Sequence, residues 1–374
     1  MPALRGRVPE FLSPELTALR DRVAALASGE LAALRDDATL SPADRAARVR
    51  AACKAAGLYH LTQAEDTPEL TLLVVRETLA LHNTSHLPGV LGAGAGVLAG
   101  VGEPLRSSHL LPVLAGDKRA GFAFTESADA PRPTWAVPEG DTLVVNGSKS
   151  YVTGGAQADF LAALVDVEGQ GPSMVIIDTD APGVSISRHF GSMDGSQHAA
   201  FRFESVRVPR HHAIGAPGDG RGRALAKISA VRRAVAADCV GSAGWIIGLL
   251  AEELRRPRRS GLVLAASERI RLRYGDLRIR AYAARSAVYR AARLADAGHD
   301  AVNETIAAKV LASEIAGEIA DAAIQLLGGE ALVTGHPLEA QFRRLRSLRL
   351  AEGETDTLRV NLARGHLDLG KGSI

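Results

Sequence analysis

The hydrophobic period of this chain changes twice, and that change limits its fold more than any other feature. Up to about residue 118, apolar residues recur at helical spacing, as in Leu16, Leu19, Val23, Leu26 and Leu31. From Gly121 to Gly215 the pattern becomes short alternating or apolar runs separated by turn residues, which is strand behaviour. From about Gly220 helical spacing returns and holds to the end. Neither one bundle nor one sheet buries such a sequence, because helices and strands present their apolar residues at different periods. The expected fold is α+β and multi-domain: an N-terminal α-helical domain over residues 1–118, a central antiparallel β-barrel or sandwich over 119–216, and a C-terminal four-helix bundle over 217–374. With 374 residues the chain can bury cores of that number.

Ser41-Pro42-Ala43-Asp44 predicts a helix start, with serine as cap, proline at the first position and an acid on the exposed amides. A further helix is expected from about Pro68 to His82. In the β segment, Asn146-Gly147 between two strand-like runs predicts a tight hairpin, since both turn positions need positive φ. Phe160 to Val165, Ser173 to Ile177, Val184 to Ser187 and Ala200 to Val208 predict more strands. Ala226 to Leu254, Leu262 to Ala297 and Ala301 to Leu327 predict long amphipathic helices, and a fourth carries Leu358 to Leu367. Their short connections imply an antiparallel bundle.

The net charge of +2 compels no nucleic-acid partner. Two distant cysteines, Cys53 and Cys239, in helical contexts predict buried free thiols and no disulfide framework. Met-Pro-Ala-Leu-Arg-Gly-Arg at the N-terminus leads into an amphipathic helix, and no apolar run reaches the roughly 20 residues of a membrane span. The expectation is a cytoplasmic protein with no membrane insertion.

Glu352 stands where a long helical stretch ends in arginines, Gly353 breaks the pattern, and a short apolar helix resumes with Leu358, Val360 and Leu362. A carboxylate on such a corner can point inward, where desolvation raises its pKa toward that of a useful base. By residue pattern alone, a solvated helix-end carboxylate is the commoner case. His82-Asn-Thr-Ser-His86 has the i, i+4 spacing of two metal ligands but neither an intervening glutamate nor an evident third ligand, so no metal is expected. Gly94-Ala-Gly96 matches a dinucleotide fingerprint without the strand that must precede it, and close helix packing through small residues is expected there instead. Arg343 to Arg349 reads as a solvated helix face, a subunit interface or a phosphate contact.

Several motifs occur in one order over some 230 positions. Gly121-Phe122-Ala-Phe124-Thr125-Glu126 is followed by Asn146-Gly147-Ser-Lys149-Ser-Tyr151-Val152-Thr153. Then come Gly191-Ser-Met-Asp-Gly-Ser196, Phe203-Glu-Ser-Val206, Val208-Pro209, Arg232 with Gly241, Gln325-Leu-Leu-Gly328-Gly329 and Glu352-Gly353. This series resembles the acyl-CoA dehydrogenase family of flavoenzymes. The first two motifs resemble its Ala-x-Thr-Glu-Pro and Asn-Gly-x-Lys-x-Trp-Ile-Thr signatures, and Glu352-Gly353 resembles the Glu-Gly of its Tyr-Glu-Gly-Thr.

The resemblance implies an FAD-dependent enzyme of CH–CH oxidation. Glu352 would take the α-proton of an acyl thioester, carried by CoA or an acyl carrier protein, while the β-hydride passes to the flavin, leaving the 2-enoyl thioester. Phe122, Phe124, Thr125, Tyr151, Val152, Thr153, Arg258, Gln325, Gly328, Gly329 and Asp356 are the expected cofactor contacts, and Ser127, Arg232 and Gly353 the expected substrate contacts. Gln-x-x-Gly-Gly implies a homodimer or homotetramer, because in the family it reaches a neighbouring subunit's cofactor. An electron-transfer flavoprotein is the implied acceptor. The chain departs from the pattern at Ser127-Ala-Asp-Ala-Pro131, at Pro257-Arg258-Arg259-Ser260-Gly261 and at Glu354, which marks an atypical member. A flavin oxidase or monooxygenase on the same fold, or a non-catalytic subunit of a heteromer, are the alternatives.

Overall fold

The computed structural model describes residues 11–64, 66–371 and 374; the first ten residues, on which part of the localisation expectation rests, lie outside these. In chain order the helices are α1 (Pro14–Leu26), α2 (Ala32–Asp36), α3 (Pro42–Ala55), α4 (Glu69–Leu81), α5 (Leu111–Ala115), α6 (Gly220–Arg255), α7 (Glu268–Asp296), α8 (Val302–Leu327), α9 (Pro337–Leu348) and α10 (Thr355–Leu367). The strands are β1 (Ala120–Ala123), β2 (Trp135–Glu139), β3 (Thr142–Thr153), β4 (Phe160–Val167), β5 (Gly171–Asp178), β6 (Val184–Gly191), β7 (Gln197–Pro209) and β8 (Ala213–Ile214). Ser41 caps α3 as its sequence predicts: its hydroxyl accepts from the Asp44 amide at 3.1 Å, with Pro42 in the first turn.

The chain gathers into two compact units, which divide it differently from the three sequence segments. One holds the described residues of Met1–Leu61, Asp66–Leu91 and Ser229–Ile374; the other holds Thr62–Glu65 and Gly92–Ile228. In the helical unit, α4 shares a core with the later helices: Leu73 and Val74 belong to the same buried cluster as Trp245, Ile246, Val288 and Ile315. A polar clasp ties α4 to α7. Arg285 donates to Glu77 at 2.5 Å and the Tyr289 hydroxyl donates to the same carboxylate at 2.6 Å. Both cysteines are free and buried in this unit. Between Gly220 and Leu367 the described residues form five helices, α9 being the addition to the four expected. α7 starts at Glu268 and not at Leu262, because Val263 and Ser267 are extended around a short 3₁₀ turn. α6 is long and apolar enough to cross a membrane by length and composition, and 72% of its most apolar stretch is buried within the protein.

The sheet unit is built on eight strands in the order β6-β7-β3-β2-β4-β5-β8, with β1 beside β4. Most pairings are antiparallel; β1 with β4 and β2 with β4 are parallel. Alternation sends Val145, Leu161, Val175 and Phe201 to one core face, and Phe160, Ala162, Met174 and Ile176 to the other. That second face is covered by Val97, Leu98, Leu105, Leu110 and Val113. Residues 92–118 thus serve the sheet, although their composition reads as part of the N-terminal helices. Gly94 and Ala95 are not helical; a single 3₁₀ turn, Gly96–Leu98, follows.

The hairpin expected at Asn146-Gly147 does not form. β3 runs straight through both residues, and the turn lies earlier, at Gly140-Asp141 between β2 and β3. Asn146-Gly147 instead forms a bulge against β7: the register slips between Val145 and Gly147, and Asn146 Oδ1 accepts from the Ser205 amide at 2.8 Å. Gly147 has φ +132°, and a Cβ there would stand 2.7 Å from Thr134 Cα. The residue types that favour a tight turn also suit a bulge, which is why the sequence misleads here.

Candidate active site

In the sheet unit, β1 ends in the first expected flavin motif. Phe122 and Phe124 stack at 5.9 Å between centroids and pack toward the cluster of Phe160 and Ile176. Lys227, from the first turns of α6, sits over the Phe122 ring at 3.8 Å. Thr125 is exposed, and its carbonyl accepts from the Ser150 amide at 2.9 Å. The next residue, Glu126, forms an ion pair with Lys149, which is wholly buried (0% exposed) and also donates to the Phe124 carbonyl at 3.4 Å. Glu126 accepts as well from the Thr134 hydroxyl at 2.9 Å. Burial pushes the Lys149 amine down, and Glu126 opposes that shift. These contacts fasten the Thr125 loop to β3. Ser127 follows in a turn closed by the Ala130 amide.

Tyr151 has φ +54°, a left-handed conformation that is uncommon without glycine. It lies where the β3–β7 register slips again, and the residue is 62% exposed. Phe190 and His198 hold that ring edge-on, at 5.1 and 6.2 Å. Thr153 is exposed beside His198, while Val152 is wholly buried. An exposed, fixed aromatic, with exposed Thr153 on the same strand and exposed Thr125 on the loop bonded to that strand, suits a flat, polar-edged ring such as isoalloxazine.

In the helical unit, Glu352 occupies the corner between α9 and α10. It too is left-handed, at φ +55°, and Gly353 follows at φ +108°. A Cβ on Gly353 would meet Leu358 Cδ2 at 3.0 Å. Leu358 is itself buried, worth about 1.5–3 kcal/mol, and anchors the start of α10. A left-handed non-glycine residue costs roughly 1–3 kcal/mol and persists only where its surroundings fix it. Two cations do so. Arg232 Nε of α6 donates to the Glu352 carbonyl at 2.9 Å. Lys309 Nζ of α8, wholly buried, donates to the Gly353 carbonyl at 2.8 Å and the Arg349 carbonyl at 3.3 Å. Burial lowers the pKa of Arg232, against the opposing charge of Glu352. Burial also pushes the Lys309 amine down to about 8.

The structure therefore brings together Glu352, Gly353 and Arg232, and adds Lys309, which the sequence reading missed. Its signal was a lone lysine inside the otherwise apolar run Ile306 to Ala312. The remaining expected contacts lie elsewhere on the helical unit. Asp356 is exposed and pairs with Arg359 at 3.1 Å. Arg258 is exposed in the loop after α6, its amide donating to the Leu262 carbonyl. Gln325, Gly328 and Gly329 are exposed where α8 ends, about 24 Å along the helix from Lys309. Among the described residues no group of three or more side chains could hold a metal ion.

Residues 121–206 match the family model "Acyl-CoA dehydrogenase, middle domain", and residues 218–367 match "Acyl-CoA dehydrogenase, C-terminal domain". The acryloyl-CoA reductase (NADH) of Anaerotignum propionicum is 30% identical over 271 residues, 69% of each chain. The chain belongs to the acyl-CoA dehydrogenase family. The human mitochondrial short-chain specific acyl-CoA dehydrogenase is 28% identical over 299 residues, 77% of this chain and 71% of that protein. A glutaryl-CoA dehydrogenase from Mycobacterium smegmatis, solved in complex with FADH2, shares the fold with a TM-score of 0.81 at 16% identity, over 97% of this chain and 96% of that one. This acyl-CoA dehydrogenase homologue is an oxidoreductase acting on CH–CH bonds, and its family uses FAD.

Proposed function

We propose that the protein oxidises a saturated acyl-CoA thioester to the 2-enoyl thioester, with Glu352 as the base. When bound, FAD supplies the acceptor for the hydride that leaves Cβ. The residues around Tyr151 are suited to hold its ring: Tyr151 offers an aromatic surface, and Thr125 and Thr153 offer hydroxyls beside it. Glu352 takes the α-proton. Its partial burial keeps water from competing for that proton, and its fixed main chain holds the carboxylate in one approach direction. Exposed Gln325, Gly328 and Gly329 suit contact with a second copy of the chain, and an electron-transfer flavoprotein is the proposed acceptor.

One observation carries this reading: the residue at the family's base position has a left-handed backbone held by two cations, the buried Lys309 and the half-buried Arg232. The purified protein should be yellow, and Glu352→Gln should retain FAD yet lose bleaching by saturated acyl-CoAs by about 10³-fold. Wild-type bleaching rates in that variant would refute the assignment. Rapid oxygen consumption with no added acceptor would mark an oxidase instead.

A further inference from the structure

We propose that Lys309 is a positioning residue for Glu352: its ammonium grips the carbonyls of Arg349 and Gly353 and so fixes the left-handed turn that carries the base. The inference rests on Glu352 being that base.

Lys309 brackets the corner. Its two acceptors lie three residues before and one residue after Glu352, while Arg232 takes the intervening carbonyl of Glu352 itself. Two helices, α6 and α8, thereby pin three carbonyls of one short connection. Such a grip determines a backbone conformation that a glutamate rarely adopts unaided. The carboxylates of Glu314 and Glu352 also attract the ammonium, but the atoms it hydrogen-bonds are the two carbonyls. Ala308, Val310, Ala312 and Ile315 on the same helix are buried and apolar, and an uncharged side chain of similar length would fill the space. A buried charge of this kind generally lowers stability relative to an apolar replacement, so its presence at this spot points to a task at the corner.

The charge also acts on the carboxylate. The groups facing Lys309 are Arg232 and Cys239 from α6, Glu314 from its own helix, and Glu352. Glu314 is engaged with Arg359 at 2.5 Å and lies 3.8 Å from Arg349. Glu352 is thus left under the influence of two cations, Arg232 and Lys309. Removing one of them should let the carboxyl keep its proton to higher pH.

The test compares holoenzymes of Lys309→Met, Lys309→Gln and Glu352→Gln with the wild type. The readouts are FAD content, melting temperature, and kcat and KM for acyl-CoA bleaching across pH. Lys309→Met should keep FAD and melt within a few degrees of wild type, with KM nearly unchanged. Its kcat should fall by about 10–100-fold, as expected for a displaced reacting group. The acid limb of the kcat profile should move to higher pH in both Lys309 variants, and Gln, which keeps a donor, should lose less rate than Met. A merely structural role would lower the melting temperature and leave the acid limb where it was. If Lys309→Met does not fold, Lys309→Gln carries the test alone through its acid limb. Inactive Glu352→Gln with an unmoved acid limb and wild-type kcat in the Lys309 variants overturns the role of Lys309 only. An active Glu352→Gln overturns the base assignment and this inference with it.

Discussion

Each of the two units contains one wholly buried lysine, and the two are used differently. Lys149, on β3, meets the carboxylate of Glu126 and ties one strand to the loop beside it. Lys309, on α8, donates to main-chain carbonyls on a separate connection. Each lies near a left-handed non-glycine residue of expected function, Tyr151 in the sheet unit and Glu352 in the helical unit. Lys149 is a strut whose loss should be felt as instability. Lys309 is a clamp whose loss should be felt in turnover. A buried charge matched by a carboxylate mainly serves the fold, whereas one aimed at carbonyls can serve a backbone conformation.

The contrast breaks most readily at Glu352. If Glu352→Gln costs about 10³-fold in rate without loss of FAD, the helical corner carries the chemistry. Next in size is Lys149→Met, which leaves Glu126 with half its partners and frees the Thr125 loop. It should lower stability by about 3 kcal/mol in urea unfolding and reduce FAD content. Lys309→Met, by comparison, should spare stability; equal losses in both variants would erase the distinction.

A third measure is the pH dependence of melting. Burial leaves the Lys309 amine near 8 in the folded protein, against an ordinary value of 10.5. Between about pH 8 and 10 the unfolded chain therefore binds more protons, and stability rises with pH, by at most about 1.4 kcal/mol per unit for this group. Lys149 shifts in the same direction. Above pH 10 the trend reverses, because burial and Glu77 push the Tyr289 phenol far up and the unfolded chain loses that proton first. Lys309→Met should flatten the rise, and a slope unchanged in that variant would contradict the buried charge. The smallest effect is expected from Gly353→Ala, where φ +108° and the contact with Leu358 should cost about 1–2 kcal/mol, seen as a lower urea midpoint.

Much of this was legible along the chain, for stated reasons. Ser41-Pro42 marks a helix start because capping is local, and Glu352-Gly353 marks a corner because glycine interrupts a helical period. Asn146-Gly147 misleads because a bulge and a tight turn ask for the same residues. The allegiance of residues 92–118 to the sheet depends on what covers the Phe160–Ile176 face, which no local pattern records. Lys309 was missed for a related reason: a lysine in a helix usually reaches solvent, and only the fold closes over this one.

The clasp between Glu77 and Arg285 spans 208 residues of sequence. At a synthesis rate of about 5–20 residues per second, α4 emerges from the ribosome roughly 10–40 s before the arginine that will satisfy it. Through that interval Leu73, Val74 and the carboxylate between α4 and its absent partners have no finished core. α4 can meanwhile pack Val75 and Leu79 against Val23, Leu31 and Val49 of the opening helices, so a ribosome stalled before α7 should display that smaller core with the Leu73–Val74 face of α4 still uncovered.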